Sequence, residues 1–201
     1  MIKASLTHKS FDLRTSVNDT TDDQILSLCK EKARIEQGFK LLMLKYQERL
    51  YWHVRRMVFE HDDANDVIQN AFIKVYKSIH KFEGKSKLYT WLYRIATNEA
   101  ITFLNKKKKK STASLDNEEY NLNNQLKADD YFDGDEIQRK LQEALNQLPE
   151  KQKIVFNLRY FEEMNYAEMS EILGTSVGAL KASYHHAVKK IEIYLKGVAS
   201  E

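Results

Sequence analysis

Hydrophobic positions recur at steps of three and four over most of this chain. Between residues 36 and 59 they fall at Phe39, Leu42, Met43, Tyr46, Leu50, Val54 and Met57, which predicts an amphipathic helix. A second set, Val67, Ile68, Ala71, Phe72, Val75 and Ile79, predicts another. Asp62 and Asp63 stand at its start, where carboxylates suit the helix dipole and can cap free amides. A third set, Leu88, Trp91, Leu92, Ile95, Ala96, Phe103 and Leu104, predicts a helix that Thr90 could cap and that runs into the lysines at 106–110. With an earlier helix over 22–34, these make a compact group of four. Phe82-Glu83-Gly84-Lys85-Ser86-Lys87 forms a short polar loop with a glycine pivot between the second and third.

The period lapses over 111–135 and resumes afterwards. Ile137, Leu141, Ala144, Leu145 and Leu148 make one stripe. Pro149 is expected as the first residue of the next helix, where its missing N–H costs nothing. That helix carries Ile154, Val155, Leu158 and Phe161. A short helix follows on Tyr166, Met169, Ile172 and Leu173 and stops at Gly174. A final one shows Val177, Leu180, Tyr184, Ala187, Val188, Ile191 and Leu195. The fold class expected is all-α, two small helical domains joined by a flexible linker. The boundaries are 22–110 for the first domain, 111–135 for the linker and 136–201 for the second. Residues 1–21 are expected as a disordered tail.

Composition supports helices. Six Gly and one Pro in 201 residues leave few turn-formers for a sheet protein. One cysteine, Cys29, excludes an internal disulfide framework and a cysteine-based zinc finger. No stretch approaches the roughly 18–20 apolar residues of a membrane span, and the start lacks the apolar core of a secretory signal. A cytoplasmic protein without direct membrane insertion is expected. The net charge of +3 matters less than its distribution. Residues 22–110 hold 19 Lys and Arg against 11 Asp and Glu, 111–135 one Lys against seven acids, and 136–201 nine of each. A basic block, an acidic linker and a balanced block place polyanion contact in the first.

Three stretches carry candidate chemistry. A short helix, a glycine turn and a longer helix over 165–190 describe a helix-turn-helix, whose second helix enters the major groove. The face opposite its apolar stripe presents Gly178, Lys181, Ala182, His185, His186 and Lys189. A plain helical hairpin with a solvated face is the alternative. In 82–105, Lys85 and Lys87 precede Tyr89, Trp91, Tyr93 and Arg94, a mixture of cations and aromatics that suits single-stranded nucleic acid. Trp91 reads more readily as core, while Tyr93, Arg94 and Asn98 are expected at the surface. The run Asp62-Asp63-Ala64-Asn65-Asp66-Val67-Ile68-Gln69-Asn70 reads as helix capping or as a protein-docking face with Asp66, Gln69 and Asn70 turned outward. A calcium loop needs more oxygen ligands and a glycine turn. The histidines lack metal-ligand spacing, and no catalytic constellation or glycine-rich phosphate loop is present. No enzyme activity, metal or cofactor is expected.

Together these stretches resemble the extracytoplasmic-function sigma factors, the small two-domain initiation subunits of bacterial RNA polymerase. Residues 63–72 resemble the family's Asp-Ala-x-Asp-x-x-Gln-x-x-Phe segment, which implies docking on core RNA polymerase through Asp63, Asp66, Gln69 and Asn70. Residues 82–98 resemble its promoter-melting loop and minus-ten helix, which implies melted-strand contacts by Lys85, Lys87, Tyr89, Trp91, Arg94 and Asn98. Leu148-Pro149, residues 155–163 and residues 166–190 resemble its minus-thirty-five domain, which implies duplex contacts by Lys181, Ser183, His185, His186 and Lys189. The recognition helix departs from the family's arginine-rich Val-Lys-Ser-Arg-Leu-x-Arg-Ala-Arg run, with Ser183, His186 and Val188 where that run has arginine. The promoter preference therefore does not carry over. The resemblance further implies an acidic linker lying in a basic polymerase channel and an anti-sigma partner, membrane-bound in the family. The rivals are a stand-alone helix-turn-helix regulator, a helical adaptor that binds no DNA, and, more distantly, a helical enzyme.

Overall fold

The computed structural model describes residues 20–113 and 136–198. The predicted 111–135 linker, apart from the helical residues 111–113, and the tail before residue 20 lie outside them. The described residues form eight α-helices and one 3-10 turn, with no strand. The chain divides into two compact units, residues 1–100 and 101–201.

In the first unit, α1 (Asp22–Lys30) starts from a reciprocal cap. Thr21 Oγ1 accepts from the Gln24 amide at 3.2 Å, and Gln24 Oε1 accepts from the Thr21 amide at 2.9 Å. Asp22 then ties this start to α2 (Ile35–Val58), accepting from the Tyr46 hydroxyl at 2.7 Å and from Lys45 Nζ at 2.8 Å. Burial first, and then the Asp22 carboxylate, raises the Tyr46 phenol above its ordinary range, so it remains a donor. The first helix stops at Lys30 rather than reaching residue 34. Its end lies close against α2. A Cβ on Gly38 would stand 2.7 Å from Cys29 Sγ, 2.8 Å from the Cys29 backbone nitrogen and 2.9 Å from Leu28 Cβ.

Gly38→Ala gives up a glycine in a helix interior, which alone favours alanine by about 0.5–1 kcal/mol. The backbone of Cys29 cannot yield as a side-chain tip would, and overpacking of this kind costs about 1–3 kcal/mol. The expected net result is a loss of about 1–2 kcal/mol, read as a lower urea midpoint at unchanged slope.

Helix α2 closes on Phe59, whose φ of 66° reverses the chain into α3 (His61–Ser78). A 3-10 turn (Ile79–Lys81) and the 82–87 loop lead to α4 (Leu88–Ala113). Leu42, Leu50, Val54, Val67, Val75, Ile79, Leu92 and Ala96 fill the core. Among them sits a polar pair: His53, fully buried, with its Nε2 2.8 Å from Thr97 Oγ1 and its ring 5.0 Å from that of Tyr93.

Burial, helped by Arg56, lowers the His53 pKa from 6.5 to about 3. The native ring is therefore neutral where the unfolded chain is protonated. Between pH 6.5 and 3 the unfolded state binds more protons, so stability present above pH 6.5 is lost as the pH falls. Between pH 7.5 and 5 this one group is expected to withdraw about 2 kcal/mol. Urea unfolding at the two pH values measures it, and His53→Gln should flatten that difference.

The second unit packs α5 (Glu136–Asn146), α6 (Glu150–Tyr160) and α7 (Tyr166–Leu173) against α8 (Val177–Val198). Ala144, Leu145, Leu148, Phe156, Ala187 and Ile191 form its centre, with Leu141, Phe161, Tyr184 and Val188 packed around them. Pro149 stands at the N-cap of α6, one place earlier than expected, with φ −54° and ψ 141°. Its carbonyl accepts from the Lys153 amide at 3.0 Å, so the ring still costs the helix no donor. Asn165 and Glu168 cap α7 reciprocally at 3.0 and 3.2 Å. Gly174 ends it in the left-handed region at φ 61°. Ser176 Oγ then accepts from the Ala179 amide at 3.3 Å and starts α8.

Candidate polymerase and nucleic-acid interfaces

The first candidate surface lies on α3. Val67, Ile68, Ala71, Phe72 and Val75 are buried, which turns Asp66, Gln69 and Asn70 outward to the surface, where they are exposed. Asp63, one turn earlier, is half-buried. His61 is held at the helix start, with Nδ1 2.7 Å from the Tyr51 hydroxyl and Nε2 2.9 Å from Asn65 Nδ2. Beside this polar edge runs a cavity of about 440 Å³ between α2 and α3, lined by Phe39, Met43, Ile68, Gln69, Phe72, Ile73 and Tyr76, among others. The Phe39 ring stands edge-on to Phe72 at 6.2 Å and to Tyr76 at 5.0 Å. Ile73 is 46% and Tyr76 40% exposed, so the groove opens to solvent as an apolar strip. Sequence reasoning named the polar edge and missed the strip. Its signal was Ile73 and Tyr76, two large apolar residues off the buried period of α3.

The second surface is the 82–87 loop with the first turns of α4. Gly84 takes φ 73°, which turns the loop. Lys85 is exposed and ion-paired with Glu83. Lys87 Nζ lies 5.5 Å from the centre of the half-buried Tyr89 ring. Trp91 is neither core nor free: it is half-buried, its ring 5.2 Å from that of Phe82. Arg94 and Asn98, four residues apart on α4, are exposed as expected. Tyr93 is not; it is fully buried. The helix buries the adjacent pair Leu92 and Tyr93, and the tyrosine packs on His53 at 5.0 Å and on Tyr89 at 6.4 Å. Thr90 does not cap. It lies inside the helix and is buried, while the Trp91 amide already bonds the Lys87 carbonyl at 3.1 Å. Lys106 to Lys110 are exposed on the helical C-terminal stretch of α4.

The third surface is the outward face of α8. Gly178, Lys181, Ala182, His185, His186 and Lys189 are all exposed, and the two imidazoles lie 5.9 Å apart. Lys181 to Lys189 spans about 12 Å of helix at 1.5 Å per residue, close to the width of a major groove. Ser183 sits at the edge of this arc, half-buried. Val177 departs from the expected apolar stripe: it is 38% exposed at the helix start. Two further residues stand beside Lys181 and were not singled out from the sequence. Its Nζ is 5.8 Å from the Tyr166 ring centre, and the Arg159 guanidinium is 5.4 Å from the same centre.

Among the described residues no group of three or more His, Cys, Asp or Glu could hold a metal ion. No helix among them is long and apolar enough to cross a membrane.

Known proteins share both halves of this arrangement. The model of Sigma-70 region 2 matches residues 42–110, and that of Sigma-70, region 4 matches residues 138–191. The ECF RNA polymerase sigma-E factor of Haemophilus influenzae is 33% identical over 171 residues, which cover 79% of this chain and 90% of that protein. The RNA polymerase sigma-H factor of Pseudomonas aeruginosa is 31% identical over 84% of this chain and 93% of its own. Two solved structures share the fold. The sigma factor RpoE of Bartonella quintana, in complex with the anti-sigma factor NepR, superposes with a TM-score of 0.65 at 22% identity, covering 80% of this chain and 98% of that one. CnrH, in complex with the cytosolic domain of CnrY, does so with a TM-score of 0.64 at 17% identity, covering 86% and 96%. A region-two domain has no place in a stand-alone helix-turn-helix regulator, which is therefore not favoured. The chain belongs to the extracytoplasmic-function sigma factors, which direct bacterial RNA polymerase to promoters.

Proposed function

We propose a division of labour among the three surfaces. Residues 22–110 form the polymerase-docking and promoter-melting domain, residues 111–135 the acidic linker and residues 136–201 the duplex-reading domain. Asp63, Asp66, Gln69 and Asn70, with the apolar strip of Phe39, Ile73 and Tyr76, dock on core polymerase. The apolar strip supplies the affinity of that contact, and the polar edge supplies its register. Lys85 and Lys87 neutralise phosphates of the melted minus-ten strand. Tyr89 and Trp91, half-exposed, offer stacking faces, and Arg94 and Asn98 extend the contact along α4. Lys181, His185, His186 and Lys189, with Ser183 at the edge, read the minus-thirty-five duplex.

The chain itself catalyses nothing in this scheme, since polymerase supplies the chemistry. It acts in the cytoplasm, where its polymerase works. The observation that carries the reading is the pairing, in one chain, of a cationic aromatic loop with a helix-turn-helix on a separate unit. Two structural relatives are bound to anti-sigma factors, NepR and CnrY. On that precedent this chain too is held inactive by an anti-sigma factor, membrane-anchored or not. Run-off transcription with purified core polymerase, start-site mapping and permanganate footprinting test the scheme. Accurate starts with reactive thymines near the minus-ten position are expected. A protein that binds promoter duplex but never yields a start or an opened strand would overturn it.

A further inference from the structure

Two imidazoles stand side by side in the middle of the recognition helix. His185 and His186 are both exposed on the outward face of α8, and their ring centres lie 5.9 Å apart. His186 occupies a place where the arginine-rich run has arginine. An arginine is charged throughout the physiological range, whereas histidine changes its charge between about pH 5 and 8.

The charges nearest to the pair on α8 are all cationic. Lys181 and Lys189 stand four residues either side of His185, and Lys190 stands four beyond His186. Side chains four apart on a helix are neighbours. No carboxylate occurs from residue 181 to residue 190. The helices packed against α8 bond no charge to the rings either. On α5, Glu143 accepts from Arg139 at 2.7 Å and from the Tyr194 hydroxyl, near the far end of α8, at 3.2 Å. On α7, Glu168 is engaged in the cap at Asn165. Arg159 and Tyr160 of α6 and Tyr166 of α7 bear on Tyr184. Among the described residues, each imidazole has only the other ring beside it and no hydrogen-bond or ion-pair partner. Nothing on the free helix therefore compensates a charge on these rings; the duplex does.

We propose that His185 and His186 make duplex recognition proton-linked: α8 takes up protons as it enters the major groove, so the protein prefers its upstream promoter element more strongly as the pH falls. The groove surrounds the rings with phosphate anions and with base acceptors such as N7 and O6 of guanine. A charged imidazole meets these with two N–H donors, a neutral one with a single donor. Opposite charge within about 4–6 Å favours the charged form. The bound state thus holds more protons than the free state. Affinity rises with falling pH and levels off once the rings are charged in both states. The proposal rests on the reading that α8 enters duplex DNA, and adds to it a dependence on pH.

The test uses holoenzyme reconstituted from the full chain and core polymerase, at constant salt between pH 7.5 and 6.0. Binding is measured to fluorescent promoter fragments with and without the upstream element, mapped by run-off transcription. The ratio of the two affinities cancels effects of pH on folding and on the polymerase, which both fragments share. That ratio is expected to rise about five- to twentyfold over the range, as for one or two imidazoles whose charged form the DNA favours about tenfold. His185→Gln with His186→Gln, which bonds but takes no proton, should flatten the profile. His185→Lys with His186→Lys should flatten it too, at a higher ratio than the glutamine pair. A parent ratio that stays constant would overturn the proposal. So would a slope that survives in both double variants, since the proton would then be taken up elsewhere. Lys181→Glu at pH 7.5 separates the two levels. If it abolishes the preference for the element while the parent shows no slope, the proton link alone fails; if it leaves the preference intact, the reading of α8 fails with it.

Discussion

Holoenzyme carrying Lys181→Glu is expected to lose about a hundredfold in transcription from a promoter that depends on its upstream element. Lys181 is exposed on the outward face of α8, on the arc that also presents His185 and Lys189. A base-edge or phosphate contact of this kind is worth about 1–3 kcal/mol. Reversing the charge removes the contact and sets an anion against the phosphates, and about 3 kcal/mol is a hundredfold in binding. The fold should tolerate the change, because exposed substitutions usually shift stability by no more than about 0.5 kcal/mol. Run-off yield on promoters with and without the element separates the two effects. Equal yield from both, at the level of the parent protein, would remove α8 from the DNA contacts.

Ile73→Asp is expected to weaken binding to core polymerase by a similar factor while leaving the melting temperature of the free protein nearly unchanged. Ile73 is 46% exposed and lines the groove beside Gln69, so no core contact depends on it. On docking, the carboxylate would be desolvated against apolar surface. Truncation of a central interface anchor alone costs about 2–4 kcal/mol, and an unpaired buried charge adds to that. Competition for core polymerase against the unmodified protein measures the loss. A variant that competes equally would place the docking surface elsewhere and leave the polar edge of α3 as simple helix solvation. Asp66→Ala should have a smaller effect, since an exposed rim charge acts more on encounter rate than on affinity.

The periodicity of apolar residues located the described helices from α2 onward because burial on one side of a helix leaves a repeat of 3.6 in the sequence. Helix ends were less legible where their cause is not local. The stop at Gly174 could be read because its cause is local, while the equally local Asn165–Glu168 cap was not singled out. The stop of α1 at Lys30 could not be read, nor could the close packing of Gly38 against Cys29 from the next helix. Thr90 illustrates the reverse error: a good capping residue by type, it stands inside a helix that tertiary packing starts at Leu88.

The candidate sites divide along the same line. Exposure at Asp66, Gln69, Asn70, Arg94, Asn98, Lys181, His185, His186 and Lys189 followed from their being opposite an apolar stripe, and those positions are exposed. Tyr93 did not obey the pattern, because an amphipathic side chain takes whichever side the neighbouring helix offers. Here that neighbour is buried His53, 40 residues earlier in the chain.

By itself, then, the order of residues determined helical content, the basic and acidic blocks, the helix-turn-helix and the resemblance that joined them, all of which depend on near neighbours or on composition. Only the tertiary structure decided the apolar groove between α2 and α3, the neutral His53 in the core and the ring shared by Arg159 and Lys181. Each of these needs side chains from two or more helices to meet, and a one-dimensional period records which face turns inward but not which face of another helix it finds there.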